Sequence, residues 1–389
     1  MGVADRTHSP LTTGAAVITS LTLTDFRSYA AARLEPGPGA TVLFGPNGAG
    51  KTNVLEALSL LTPGKGLRGA SSADLGRREP GEAQGRPWAV STLLETLEGE
   101  VRIGTGVQGS GASRRVVRID EQPAPPGRML EHLRPVWATP EHDRLFSDSR
   151  AERMRFFDRL VFAVDPAHAA HVAAYEKALR ERLRLLTGEE PADPIWLDAL
   201  EQRLGEAGAR AAEGRVAALE ALQAEIDARG DRPFPQADLS LSGEAEAMAG
   251  RGEGEAAIAA AIRAGMKASR SRDAGAGRSL FGPHRTDLSA LHREKNRPAA
   301  EGSSGEQKAL VLNLILGQVA RLADSPARPI LLLDEAPAHL DERRRAALFD
   351  EIEALGLQAF LTGTERVLFT PLEGRARFVQ VSGGGFTVD

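Results

Sequence analysis

Gly45-Pro-Asn-Gly-Ala-Gly-Lys-Thr52 follows the short apolar run Ala40-Thr-Val-Leu-Phe44 and precedes Val54, Leu55, Leu58 and Leu61, which repeat at helical spacing until Pro63-Gly64. Strand, glycine-rich loop and helix in that order make a phosphate site, because the turn aims several backbone N–H groups at one point, at the positive end of the helix. Gly45, Pro46, Asn47, Gly48, Ala49 and Gly50 form the expected cradle. Lys51 then reaches the β- and γ-phosphates of a bound ATP, and Thr52 offers its hydroxyl to Mg²⁺. The competing reading, an ordinary glycine-rich turn, is outweighed by this flanking context.

Such a site needs a carboxylate on a neighbouring strand. Ile330-Leu-Leu-Leu-Asp334-Glu335 supplies one at the end of an apolar run that reads as a parallel strand buried on both faces. Asp334 is expected to hold the metal and Glu335, one residue further on, to polarise the attacking water. Alone, the segment reads equally well as a strand ending in a solvated acidic loop; the glycine-rich loop tips the balance. Lys51 and Asp334 lie 283 positions apart, so something large is inserted between them.

A third element is Ser303-Ser304-Gly305-Glu306-Gln307, directly before a helix marked by Leu310, Leu314 and Gln318. Ser303 with Glu306 and Ser304 with Gln307 both satisfy the capping-box spacing, so a well-made helix start is the plain reading. The same hydroxyls, glycine amide and helix dipole also suit an anion, and beside the other two elements that reading is preferred.

Taken in order, the loop, the large insertion, the serine-glycine signature, the Leu-Leu-Leu-Asp-Glu strand and Ala338-His-Leu-Asp341 resemble the ABC-type ATPase heads of the SMC and DNA-repair group. Leu23-Thr-Asp-Phe-Arg-Ser-Tyr29, Phe281-Gly-Pro-His-Arg-Thr-Asp287, and Pro140-Glu141 with Arg153-Met-Arg-Phe-Phe-Asp158 resemble segments of the RecF family within it, and the similarity runs from Val17 to Asp389. The resemblance implies an α/β head, with a P-loop sheet flanked by helices and an antiparallel β patch, over 17–125 and 275–389. It also implies a mainly helical lobe with a short helical hairpin over 126–274. It implies a homodimer in which Ser303, Ser304 and Gly305 of one copy close on the ATP held by the other, with Asp341 at the seam. Thr364 stands where transporter ATPases carry a switch histidine, and Glu141 falls in the Q-loop region. Double-stranded or gapped DNA, recombination mediator proteins and a recombinase are the implied partners, and slow DNA-stimulated ATP hydrolysis the implied activity. The alternative is the ATPase subunit of an ABC transporter; a nucleotide-binding module without turnover is a third.

Composition sets bounds. The 389 residues carry 48 basic and 53 acidic side chains and no cysteine, which excludes disulfides and thiol chemistry. No apolar run reaches the roughly 18 residues a membrane helix needs, and no secretory leader is legible, so a cytoplasmic protein with a disordered lead-in over residues 1–16 is expected. Arg263, Lys267, Arg270, Arg272, Arg278 and Arg285, with Arg114, Arg115 and Arg118, are candidate phosphate-tracking clusters, although a solvated basic face explains either cluster alone. Asp165-Pro166 and Asp193-Pro194 read as the starts of two long, adjacent antiparallel helices, and Ser242–Glu255 as a mobile loop.

Overall fold

The computed structural model describes residues 16–389 except 111, 113, 231, 324, 326 and 339. The expected lead-in thus lies outside the described residues, apart from Ala16, as does residue 339 of the Ala338–Asp341 segment. The chain forms two compact units, Met1–His142 with Val319–Asp389, and Asp143–Gln318.

In the first unit β1 (Val17–Phe26) and β2 (Tyr29–Leu34) make a hairpin. The chain then leaves through β3 (Ala40–Phe44) for a second sheet and returns as β4 (Ala89–Thr96), β5 (Gly99–Gly106), β6 (Val116–Ile119) and β7 (Gln122–Pro123). These complete an antiparallel sheet of order β2-β1-β4-β5-β6-β7. The second sheet adds β8 (Arg134–Ala138), β12 (Pro329–Leu333), β13 (Gln358–Gly363), β14 (Ala376–Ser382) and β15 (Gly385–Val388) in the order β15-β14-β3-β13-β12-β8. Its pairings are parallel except β14–β15, whose turn at Gly383-Gly384 has φ of 55° and 77°. Every residue of β12 and β13 is buried, as continuous apolar runs in a two-sided parallel sheet require.

Helix α1 (Lys51–Ser59) shares one core with both sheets: Val54, Leu55 and Leu58 join Ile18, Leu21 and Leu23 from β1 and Leu43, Phe360 and Val381 from the parallel sheet. Gln358 ties the sheets polar-to-polar, accepting from Ile18 N (2.8 Å) and donating to the carbonyls of Ile18 (2.9 Å) and Gly37 (2.8 Å).

The second unit contains α2 (Arg150–Val164), α3 (Pro166–Leu186), α4 (Pro194–Ala228), α5 (Glu244–Gly250), α6 (Glu255–Ala276) and most of α7 (Ser304–Leu322). A small sheet of order β11-β10-β9 is formed by β9 (Ala237–Leu241), β10 (Leu288–His292) and β11 (Arg297–Pro298). Asp165 and Asp193 cap α3 and α4 as expected, each accepting the N–H two residues on, at 2.9 and 2.8 Å. The two helices are antiparallel neighbours, since Arg182 meets Glu201 while Tyr175, two turns back, lies beside Gly208. Arg182 is fully buried, and its guanidinium donates to Glu201 Oε1 (3.0 Å), Asp273 Oδ2 (2.7 Å) and Met266 O (2.7 Å).

Three expectations are corrected. The division falls at 142/143 and 318/319 rather than at 125 and 274, because β8 is an edge strand of the parallel sheet while β10, β11 and the start of α7 belong to the second unit. Ser242–Glu255 is not an irregular loop: it holds α5, anchored by buried Ala245 and by Glu246, which is 2% exposed and paired with Arg215 at 2.9 Å. The basic run is partly neutralised: Lys267 and Arg270 pair with Asp198 and Arg270 also with Glu201, while Arg263 donates to the neutral Gln202. Arg115 is likewise drawn inward, donating to Thr62 O at 2.7 Å, and burial pushes it down to about 10.

Candidate functional site

The carboxyl ends of β3, β13 and β12 lie side by side in that order, the place where open parallel sheets bind ligands. β3 runs into the glycine-rich loop, whose Gly45, Gly48 and Gly50 have φ of 145°, 78° and 110°. At Gly45 a Cβ would stand 2.5 Å from Val381 O, and at Gly50 2.7 Å from the Tyr29 hydroxyl, so space as well as φ demands glycine at both.

Lys51 is buried, and its Nζ donates to Gly45 O (2.7 Å) and Pro46 O (2.9 Å). Burial holds its ammonium below the ordinary lysine range, opposed by the negative charges of Glu335 and Asp334. Thr52 Oγ1 donates to Asp334 Oδ1 at 2.9 Å across 282 positions of sequence. The Thr362 hydroxyl at the end of β13 donates to the same carboxylate oxygen at 2.7 Å and accepts the Glu335 N–H at 2.9 Å. Glu335 itself sits at φ 51°, a conformation that costs a non-glycine residue energy and persists only where its surroundings hold it.

A hydroxyl and a carboxylate in contact are hard oxygen donors of the kind Mg²⁺ takes. Among the described residues no cluster of three or more His, Cys, Asp or Glu side chains could hold a metal. A cation here would therefore draw its remaining ligands from water and phosphate, which suits Mg²⁺ at a nucleotide.

Behind the loop, the Asp25-Phe-Arg-Ser-Tyr29 turn braces α1. Arg27 forks onto the buried Glu56 carboxylate (2.8 and 2.6 Å), Arg68 adds a contact to it at 3.3 Å, Asn53 donates to Ser28 Oγ (2.9 Å), and Tyr29 donates to Gly50 O (3.1 Å). Burial pushes the Tyr29 hydroxyl well above its ordinary range, so it stays a donor. The sequence singles out Leu23–Tyr29 only as a resemblance, with no reading of its contacts to α1 or of Thr362; Glu56, a charge set among the apolar positions of α1, is the signal that points to a partner there.

The signature lies in the second unit. Ser303 and Glu306 complete the capping box, Ser303 N donating to Glu306 Oε2 (2.8 Å) and Glu306 N to Ser303 Oγ (3.4 Å). The second box is not formed: Gln307 Nε2 donates to Ser147 Oγ (2.7 Å) and Gly302 O (3.0 Å). Ser304 is thereby left exposed, and a Cβ at Gly305 would meet nothing within 4 Å. Asp341 caps α8 (Glu342–Ala354), accepting Arg344 N at 2.8 Å. Thr364 and Glu141 are exposed. His284 is held structurally between the Tyr175 hydroxyl (2.9 Å) and Ser279 O (3.0 Å), and Arg285 is exposed beside it.

Comparison with known proteins identifies the family. Residues 17–383 match the family described as RecF/RecN/SMC N terminal domain. A "DNA replication and repair protein RecF" of Caulobacter sp. (strain K31) is 59% identical, over 96% of this chain and 98% of the relative. The protein of the same name from Mesorhizobium japonicum is 48% identical over 94% and 96%. Among solved structures, that of the recombination mediator protein RecF with ATPrS in the RecFOR pathway superposes with a TM-score of 0.84 at 22% identity, covering 97% of this chain and all of that one. An Smc head domain from Pyrococcus furiosus gives 0.53 at 16%, covering 96% of each chain. The fold is thus that of an SMC-type ABC ATPase head, and the chain belongs to the RecF/RecN/SMC N-terminal domain family, among the RecF proteins.

Proposed function

We propose that this protein is an ATP-dependent DNA-binding switch of recombinational repair, working in the cytoplasm. The observation that carries the reading is the junction of Thr52 with Asp334, which puts a P-loop hydroxyl and a strand-end carboxylate together at the carboxyl edge of a parallel sheet. Gly45, Pro46, Asn47, Gly48, Ala49 and Gly50 would wrap the phosphates with backbone N–H groups, and Lys51 would exchange its two carbonyl acceptors for phosphate oxygens. Thr52 and Asp334 would hold Mg²⁺, which when bound supplies neutralisation of the β- and γ-phosphate charge. Glu335 would accept a proton from the attacking water, and its backbone, pinned by Thr362, sets where the carboxylate stands.

Beyond Lys51, a site of this kind would need a group that closes on the γ-phosphate from the opposite side. Ser303, Ser304 and Gly305 of a second copy would supply it, with Asp341 at the seam, so that ATP closes a homodimer and slow, DNA-stimulated hydrolysis reopens it. Ser303 keeps the helix start rigid while Ser304 and Gly305 present the open surface. Duplex or gapped DNA would be tracked through phosphates by Arg272, Arg278, Arg285 and Arg114, which are exposed. Mediator proteins and a recombinase are the partners its relatives suggest. The transporter reading is disfavoured by those relatives, which are named for DNA replication and repair.

The test is equilibrium binding of a fluorescent ATP analogue in Mg²⁺. Replacing Lys51 with Ala should weaken it by about tenfold or more, as loss of a charge-assisted phosphate contact does. A wild-type protein that binds no ATP, or a Lys51→Ala variant that binds as well, would overturn the reading.

A further inference from the structure

We infer that Thr362 is a positioning residue of the nucleotide site: its one hydroxyl sets the Asp334 carboxylate and the Glu335 backbone together, so that metal-holding and water-activating groups move as a unit. The inference rests on the ATP-site reading above and deepens it.

The placement follows from strand order. β13 lies between β12, which ends at Asp334, and β3, which ends at the glycine-rich loop. Parallel register sets Leu361 beside Leu333 and Thr362 beside Leu43, so the first side chain beyond that last paired row on β13 sits level with Asp334. The hydroxyl there is fully buried and acts both ways: it donates to Asp334 Oδ1 at 2.7 Å and accepts from Glu335 N at 2.9 Å.

The consequence concerns competition for one oxygen. Thr52 also donates to Asp334 Oδ1, at 2.9 Å. A threonine hydroxyl that ligates a cation reorients about its Cβ–Oγ bond, and its hold on the carboxylate changes as it does so. Thr362 belongs to a different strand and takes no part in that exchange, so it fixes the carboxylate whichever way Thr52 turns. Its second bond, together with the Ala338 N–H that donates to Glu335 O at 3.1 Å, holds the residue at φ 51° and so sets where the Glu335 carboxylate stands. Threonine, rather than valine of the same shape, is needed because only a hydroxyl can both donate to Asp334 Oδ1 and accept from Glu335 N, and losing a hydrogen bond to a charged group is costly even though Thr52 still donates to that oxygen.

The experiment compares wild type, Thr362→Val, Thr362→Ala and Thr362→Ser. Three readouts are taken: the Mg²⁺ concentration giving half-maximal binding of a fluorescent ATP analogue, single-turnover hydrolysis, and thermal unfolding without nucleotide. Thr362→Val should raise the Mg²⁺ requirement and slow hydrolysis, each by about tenfold or more, as losing a buried hydrogen bond to a charged group implies, while nucleotide affinity without Mg²⁺ stays within about twofold. Thr362→Ser should restore both to within about threefold of wild type, since the hydroxyl returns without the methyl group. Should the valine variant not fold, Thr362→Ala, which also lacks the hydroxyl but sets no methyl group against the two polar partners, carries the same expectation. If the folded Val or Ala variant keeps the wild-type Mg²⁺ dependence and rate, or if Ser fails to rescue, the assignment is wrong. A wild-type protein that binds no ATP would instead sink the underlying site.

Discussion

The Asp158 carboxylate is held ionised by its neighbours. Burial alone would raise it, but Arg215 forks onto it at 2.8 Å through both Nε and Nη2, with His168 adding a contact at 2.9 Å, and together they lower it from 3.8 to about 2. A carboxylate depressed in the folded state stabilises above its unfolded value and loses that contribution as pH falls through the folded one. Asp158 should therefore contribute about 2 kcal/mol at neutral pH, fading between pH 4 and 2. Denaturant titrations of Asp158→Asn should show a stability deficit near neutrality that narrows below pH 4; a deficit independent of pH would contradict the pairing. Arg182 makes a sharper case. Replacing it with Leu leaves Asp273 buried without its cation and Glu201 with Arg270 alone, and calorimetry should register a loss of about 3–5 kcal/mol. At this scale the sequence was legible where chemistry is local: Lys51, Thr52, Asp334 and Glu335 sit in short motifs whose residue types announce phosphate and metal. Thr362, Tyr29 and the Arg27–Glu56 pair did not announce themselves, because their partners are chosen by strand register and helix packing between distant segments.

Among the elements, helix starts were the easiest to place. Asp165-Pro166 and Asp193-Pro194 each carry their own cap, and both caps form as expected. The Ser242–Glu255 segment misled because glycines at 243, 250, 252 and 254 look like a linker, whereas α5 fits between them and is held by a long-range ion pair between Glu246 and Arg215 that composition does not reveal. Gly205, in the middle of α4, shows the same conflict between local and tertiary demands. Alanine there would gain about 1 kcal/mol in helix propensity. Its Cβ, however, would stand 2.6 Å from Ala259 O and 3.3 Å from Ala259 C, backbone atoms of α6 that cannot swing aside. Overpacking of about 1–3 kcal/mol should win, so Gly205→Ala should lower the denaturant midpoint with the slope unchanged. A raised midpoint would mean that α6 yields.

For the whole molecule, fold class was readable from the order of the motifs and the large insertion from the 283-position separation of Lys51 and Asp334, but the boundaries were not, since β8 and α7 are recruited by sheet and core contacts that no linker marks. The glycine-rich loop that opens the site is proposed to be half of one, completed by Ser304 and Gly305 of another copy. Glu335→Gln bears on that claim most directly, because it leaves Asp334, Thr52 and the metal site in place while removing the acceptor for the proton of the attacking water. Sedimentation of this variant in Mg²⁺ with ATP should show a lasting dimer, and with ADP a monomer. A variant that binds ATP yet stays monomeric would contradict the account.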